Sequence, residues 1–258
     1  MNKTKPIAVI DSGVGGISVL GELIKLMPNE NYIYFGDNKN APYGTKSADE
    51  VCALMRDNVE MLIKRGAKAI VIACNTATAA SAAELRNIHK EIPIIGIEPA
   101  IKPSAMYKEE SNVLVMATPL TLKQDKFHDL VDRFSDEVNI ITLPCPGLME
   151  LVEEGKICGE EVDSFLKELF SPYEDMRFDS VVLGCTHYPH IKNAIKKALG
   201  EDIMIFDGGA GTARETKRRL SKIDMLNPSE ENGRIEITCS DSEKDITELS
   251  LKLLKNLK

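Results

Sequence analysis

The sequence predicts an α/β protein built from two similar parallel-sheet α/β domains that face each other across a cleft and are related by internal duplication. Three observations carry this reading. Short apolar, β-branched runs recur without polar alternation, as parallel strands buried on both faces do. Amphipathic helical stretches separate them, the order expected of a parallel sheet. The series of four runs then occurs twice, and the third run of each series ends in a cysteine followed by a polar pair.

In the first series, Ile7-Ala8-Val9-Ile10 runs into a glycine-rich turn. Tyr32-Ile33-Tyr34-Phe35 precedes Gly36-Asp37-Asn38, and Ala69-Ile70-Val71-Ile72-Ala73 precedes Cys74-Asn75-Thr76. Pro93-Ile94-Ile95-Gly96-Ile97 precedes Glu98-Pro99. Between the second and third runs, Ser47 to Arg65 carries Val51, Leu54, Met55, Val59, Leu62 and Ile63 on one stripe and predicts a helix. The second series comprises 112–116 leading to Ala117-Thr118-Pro119, 138–143 leading to Pro144-Cys145-Pro146-Gly147, 180–184 leading to Cys185-Thr186-His187, and 202–206 leading to Asp207-Gly208-Gly209. From Asp11 to Cys74 is 63 residues, and from Thr118 to Cys185 is 67. Agreement of four runs in sequence predicts duplication. One more strand, at 234–239, and a helix with Ile246, Leu249, Leu253 and Leu254 on one side close the chain.

Composition narrows the function. The chain has 258 residues, 43% hydrophobic and 28% charged, which is ordinary for a globular protein with a full core. Its net charge of −8 argues against a fold-wide cationic surface for nucleic acid or anionic lipid. No apolar stretch is long enough to span a membrane, and the short apolar run after Pro6 ends in Asp11, unlike a signal peptide. Six scattered cysteines in a chain of this length are expected to be reduced thiols in the cytosol.

In parallel α/β folds, ligands bind beyond the carboxyl ends of the strands. Asp11-Ser12, Pro42-Tyr43-Gly44, Cys74-Asn75-Thr76, Thr118, Cys145 and Cys185-Thr186-His187 all fall there, and two facing halves would enclose them in one cleft. Cys74 and Cys185 each follow a strand and open a polar loop before a helix, where the helix start is expected to lower a thiol pKa. Two opposed thiols suit inversion at a tetrahedral carbon: one removes a proton and the other supplies one to the far face. Asp11 and His187 are candidate helpers that orient a thiol or handle its proton. The loops 11–18, 74–81, 117–121 and 184–190 contain no Lys or Arg. An anionic substrate would then be held by backbone N–H groups and by Ser12, Asn75, Thr76, Thr118, Thr121 and Thr186, which suits a small carboxylate.

Two other site chemistries are weaker. Asp11-Ser12-Gly13-Val14-Gly15-Gly16 follows a strand, and Asp37 falls near the place of a ribose-binding acid. However, Ser18 stands at the third glycine position of a dinucleotide loop, and an acid precedes the glycines. A metal site from Cys185, His187 and His190 is interrupted by Pro189 and has no matching ligands in the first half.

Asp11-Ser12-Gly13-Val14-Gly15-Gly16, Pro42-Tyr43-Gly44, Ala73-Cys74-Asn75-Thr76-Ala77 and Gly184-Cys185-Thr186-His187-Tyr188-Pro189 resemble the motifs of the glutamate racemase family, from about residue 7 to the C-terminus. The resemblance implies interconversion of L- and D-glutamate without cofactor or metal, supplying D-glutamate for peptidoglycan in the cytoplasm. It implies that Cys74 and Cys185 are the acid/base thiols, acting on D- and L-glutamate respectively, and that Asp11, Glu153 and His187 assist. Spacing alone does not separate Glu153 from Glu150 or Glu154. Activation of the thiols is expected from the helix starts, with Asp11 and Glu153 on one side and His187 on the other. By resemblance the substrate contacts are Asp11-Ser12, Tyr43-Gly44, Asn75-Thr76 and Thr186-His187. The glycine loop opens only eleven residues in, without the N-terminal extension of the family's nucleotide-precursor-activated branch, so such activation is not expected. The resemblance also implies a domain of residues 1–98 plus 207–258 and an inserted domain of 99–206. The partner expected is a small-molecule substrate, with no nucleic acid or membrane and with homodimer formation left open. The rival readings are an aspartate, hydantoin or other amino-acid racemase on the same two-thiol plan, a two-lobed periplasmic-type binding protein, and a hydrolase with one nucleophilic cysteine.

Overall fold

The computed structural model describes residues 2–241 and 246–257. The first half of the chain forms β1 (Ile7–Asp11), α1 (Ile17–Leu26), β2 (Tyr32–Gly36), α2 (Ala48–Lys64), β3 (Ala69–Ile72), α3 (Asn75–Ile88) and β4 (Ile94–Gly96). All pairings are parallel, in the order β4-β3-β1-β2. The second half forms α4 (Ile101–Ala105), β5 (Asn112–Ala117), α5 (Pro119–Leu122), α6 (Asp125–Asp132), β6 (Asn139–Pro144), α7 (Leu148–Glu153), α8 (Glu160–Phe170), β7 (Ser180–Leu183), α9 (Lys192–Leu199) and β8 (Met204–Asp207). Its sheet, read from the other edge, is β8-β7-β5-β6. Strand for strand this is the order of the first sheet, so the duplication read from the sequence is a duplication of topology. The chain then returns to the first half through α10 (Gly209–Lys222), β9 (Ile235–Cys239) and α11 (Thr247–Asn256). β9 joins the free edge of β2 in parallel, with Ile235 opposite Tyr32.

The apolar runs are continuous because both faces of the sheet are covered. On one face, Ile7, Val9, Tyr32, Tyr34, Ala69 and Val71 pack with Ile17, Leu20 and Leu23 of α1 and Leu220 of α10. On the other, Ala8, Ile10, Ile33, Phe35, Ile70 and Ile72 lie under Val51, Met55, Val59 and Leu62 of α2 and Leu85 of α3. The first of these cores runs without a break into the second half through Leu114, Met116, Val181 and Leu183, so the two halves share apolar packing. Ser47 caps α2 with a reciprocal box: its Oγ accepts from the Glu50 N–H at 3.3 Å, and its own N–H donates to the Glu50 carboxylate at 2.9 Å.

Burial on both faces fails at the outer strands of the second sheet. β6 and β8 are edge strands, and both leave residues exposed, including Asn139, Thr142 and Met204. Apolar composition alone does not distinguish an edge strand from an inner one. Among the described residues, no helix is long and apolar enough to cross a membrane.

One buried ion pair ties the amino ends of β2 and β3 together, opposite the polar loops. Lys68, with no side-chain exposure, meets Glu30 (3% exposed) at 2.5 Å and donates to the Lys3 carbonyl. The other Glu30 oxygen accepts the Asn227 N–H at 2.8 Å, which anchors the returning chain. Burial pushes the Lys68 ammonium below its usual range, although Glu30 pulls it back up. Glu30→Ala leaves this cation uncompensated and is expected to cost about 3–5 kcal/mol in urea unfolding. The double change Glu30→Leu with Lys68→Met is expected to recover most of that loss.

Candidate active site

The loops at the carboxyl ends of the two sheets meet, and the residues singled out by sequence come together there. Asp11 is the last residue of β1 and is 1% exposed. Its Oδ1 accepts the Gly13 N–H at 3.0 Å, and its Oδ2 accepts the Thr186 hydroxyl of the opposite half at 3.0 Å. Cys74 follows β3 and caps α3, with the Ala77 N–H donating to its Sγ at 3.4 Å. The Cys74 thiol points at the Ser12 hydroxyl, 3.9 Å away. Cys185 follows β7, and its Sγ lies 3.5 Å from His187 Nδ1. The other ring nitrogen, Nε2, lies 2.8 Å from Glu153 Oε1. The same carboxylate oxygen accepts the Val14 N–H at 2.7 Å, so Glu153 ties His187 to the glycine loop of the first half.

The glycine loop makes this approach possible. A side chain on Gly13 would fall inside the Glu153 carboxylate, and one on Gly15 would fall inside the His187 ring. These glycines serve close packing of the two halves, a role different from cradling a pyrophosphate. Asp37 likewise is not free for a ribose: it is fully buried and accepts from Tyr43 Oη at 2.5 Å, Asn58 Nδ2 at 3.0 Å and Asn40 Nδ2 at 2.9 Å. His190 places Nε2 3.2 Å from the Gly15 carbonyl. Among the described residues, no group of three or more His, Cys, Asp or Glu side chains is arranged to hold a metal ion.

The remaining polar residues cluster beside Cys74, at the start of α3. Thr76 of α3 lies 3.0 Å from Thr118 and 3.1 Å from Thr121, hydroxyl to hydroxyl, and the last two are 2.9 Å apart. These three hydroxyls span the two halves. Gly44 sits against Thr118, so that a Cβ there would be 2.9 Å from Thr118 Cβ. The Tyr43 hydroxyl is occupied by Asp37, so this residue anchors the loop and offers no free hydroxyl. The Asn75 side chain is buried, and neither its Nδ2 nor its Oδ1 has a protein partner. A buried amide of this kind costs stability unless a ligand or water satisfies it. Cys145, also at a strand end, is structural: its thiol donates to the Leu143 carbonyl, and its own carbonyl accepts from Tyr188.

Three expectations are corrected. Cys74 caps a helix, but two residues and the turn Tyr188–Ile191 separate Cys185 from α9. Nor is the Cys74 pKa lowered on balance: burial, reinforced by the charge of Asp11 and by Cys185, pushes this thiol up to about 12, and the helix-start Ala77 N–H, with the Ser12 hydroxyl, offsets only part of it. Third, Glu153 bonds directly to His187, the Cys185 partner, although its charge also raises the Asp11 pKa. The choice among the three glutamates follows from α7. Glu153 falls one helical turn after buried Met149 and faces inward, whereas Glu150 and Glu154 are exposed.

The charges around the two thiols are unequal. Burial alone would lower the His187 pKa, but its hydrogen bonds to Cys185 and Glu153 outweigh that and hold it well above the usual imidazole value. Burial raises the Asp11 carboxyl, against the pull of His187, the Gly13 N–H and Thr186. Burial, with His187 adding to it, lowers His190 to about 4, so this ring is neutral at pH 7. Sequence reading missed Asn38, whose amide reaches Glu153 Oε2 at 3.5 Å, and Ser18, whose hydroxyl lies 2.9 Å from the Thr186 carbonyl. Both contacts join segments far apart in the chain, where local pattern carries no signal.

Two α/β halves of one topology, each bringing a buried thiol to the boundary between them, define a two-domain protein of the racemase class. The family model for Asp/Glu/hydantoin racemases matches residues 9–216, and the chain belongs to that family. It is 51% identical over 253 residues to the glutamate racemase of Clostridium perfringens, covering 98% of this chain and 97% of that one. Among solved structures, the glutamate racemase of Francisella tularensis in complex with D-glutamate has a TM-score of 0.84 at 30% identity, covering 98% of this chain and 94% of that chain. The Escherichia coli glutamate racemase, in complex with L-glutamate and the activator UDP-MurNAc-Ala, has a TM-score of 0.85 at 32% identity, covering 98% and 95%.

The raised thiol pKa has a direct readout. The thiolate fraction of a group titrating near 12 grows about tenfold per pH unit below that value. Alkylation of Cys74 by iodoacetamide, followed by peptide mass analysis, is expected to rise by about that factor per unit from pH 7 to pH 9, without a plateau.

Proposed function

We propose that the chain interconverts L- and D-glutamate by a two-base proton transfer at Cα without a cofactor, with Cys74 and Cys185 as the two proton carriers. The observation that carries this reading is the pairing of the thiols. Each comes from the equivalent strand of a duplicated half, each follows that strand's carboxyl end, and each is 7% exposed. The named activities of the relatives, and the two enantiomers held by the Francisella tularensis and Escherichia coli proteins, support glutamate as the substrate. By this reading the product D-glutamate feeds peptidoglycan synthesis in the cytoplasm. The domains are assigned as 1–98 with 207–258 and 99–206, and the substrate lies between them.

The polar residues divide the work. Asn75 has a free amide for a carboxylate, and the hydroxyls of Thr76, Thr118 and Thr121 would exchange their mutual bonds for bonds to substrate. Asp11 stands where an ammonium group would compensate its buried charge, and Ser12, Thr186 and the Tyr43-Gly44 turn complete the wall. When L-glutamate binds, Cys185 takes the Cα proton while Cys74 delivers its own to the opposite face, and D-glutamate reverses the roles. His187, bonded to both Cys185 and Glu153, passes a proton to or from the Cys185 sulfur. Asp11 is the ionisable group whose charge acts most on Cys74, and it governs that thiol in the same way. Burial, which opposes a free Cys74 thiolate, makes proton transfer dependent on the bound substrate and on exclusion of water.

Circular dichroism of D-glutamate incubated with the protein and no added cofactor tests the reading. Loss of the D signal to zero supports it. No change with glutamate, but a change with aspartate, transfers the same chemistry to the shorter acid. Cys74→Ala and Cys185→Ala are each expected to lower racemisation about 1000-fold in both directions, since every full turnover uses both thiols. In heavy water, product is expected to carry solvent deuterium at Cα from the first turnovers, while early recovered substrate stays mostly protiated. Proton NMR of the two enantiomers checks this.

A further inference from the structure

Thr186 stands between Cys185 and His187, and the opposite half holds it at both of its oxygens. Its hydroxyl donates to Asp11, and its carbonyl lies 2.9 Å from the Ser18 hydroxyl of α1. The Gly15 carbonyl, in the glycine loop, receives His190 Nε2 at 3.2 Å from the second half. It also lies 2.9 Å from the Ser18 hydroxyl and accepts the Ser18 N–H at 3.0 Å. The two contacts therefore run in opposite directions across the same boundary. A first-half hydroxyl faces a second-half carbonyl, and a second-half imidazole donates to a first-half carbonyl. Ser18 is 7% exposed, and His190 Nδ1 is buried without a partner, so the Nε2–H is the tautomer this contact selects.

We infer that Ser18 and His190 are positioning residues, a clasp that holds the Cys185–His187 segment on the glycine loop and so sets the Cys185 thiol relative to Asp11 and Cys74. Neither touches the two thiols, and neither enters the proton transfer proposed above. Their effect comes through geometry. Thr186 is bonded directly to Cys185, so a shift of its carbonyl moves the sulfur, and near-attack geometry is sensitive to displacements of about 1 Å. The hydroxyl that occupies the third glycine position of a dinucleotide-type loop thus has a use of its own, across the boundary between the halves.

The activity arm of the test rests on the racemase reading, and the chemical arm does not. His190→Gln keeps an N–H donor near the position of Nε2, and His190→Leu removes it. His190→Leu is expected to lower kcat in both directions about fivefold, with KM changed less than about twofold, and His190→Gln is expected to stay near wild type. Without glutamate, iodoacetamide alkylation of Cys185 relative to Cys74 is expected to rise about fivefold in His190→Leu, with a change of the same sign in Ser18→Ala. The clasp is overturned if both variants keep the wild-type alkylation ratio, or if His190→Gln and His190→Leu are equally impaired, since then bulk and not the N–H matters. If Ser18→Ala fails to fold, the two His190 variants decide. If the wild type does not racemise glutamate, the function fails and the alkylation ratio still settles the clasp.

Discussion

The Glu153 carboxylate is the contact on which the site depends. One oxygen accepts the Val14 N–H of the first half while bonding to His187 of the second. It does so from 11% side-chain exposure, where a carboxylate needs such partners to be tolerated. The pairing orients the imidazole, the imidazole meets the Cys185 sulfur, and the glycine loop is pulled tight against both. A bulkier loop would hold the halves apart, and the acid that fixes the histidine would lose its amide partner.

Dryness and symmetry pull in different directions here. The fold is duplicated strand for strand, but the surroundings of its two thiols are not. Cys74 sits on a helix start beside Asp11, which repels its anion. Cys185 precedes an irregular turn and has a histidine as its partner, itself held by a carboxylate. A duplicated scaffold brings two equivalent positions to one point, and the loops then supply different electrostatics to each. In the two-thiol reaction proposed above, the two sides can differ in resting charge and still both act once substrate is bound.

Most of the fold was legible because each strand of the first half is short, apolar and covered on both faces, and because strand-end loops repeat at nearly equal spacing. The second sheet was less legible, since β6 and β8 are edges whose exposure composition does not reveal. In the site, Cys74, Cys185, Asp11 and His187 stood out by their place at strand ends. Glu153 did not stand out from its neighbours, although the turn from Met149 to Glu153 would have favoured it. The helix-start argument for the thiols misjudged the balance of effects: one N–H at 3.4 Å is a smaller influence than removal from water next to a carboxylate. Ser18, Asn38 and His190 were illegible because their partners lie across the boundary between the halves.

The return of the chain to the first sheet has a consequence for how the protein is made. The four strands of the second sheet lie in one continuous stretch, from Asn112 to Asp207, while the first sheet needs both Ile7 and Cys239. During synthesis, four strands of the first sheet emerge early, but its outer edge at β2 stays open until β9, which follows the whole inserted half, has been made. The inserted half can complete its sheet in that interval. The nascent four-stranded sheet thus carries an unpaired edge, flanked by Tyr32 and Tyr34, for the 139 residues from Gly96 to Ile235, and through that interval it is exposed to wrong pairing.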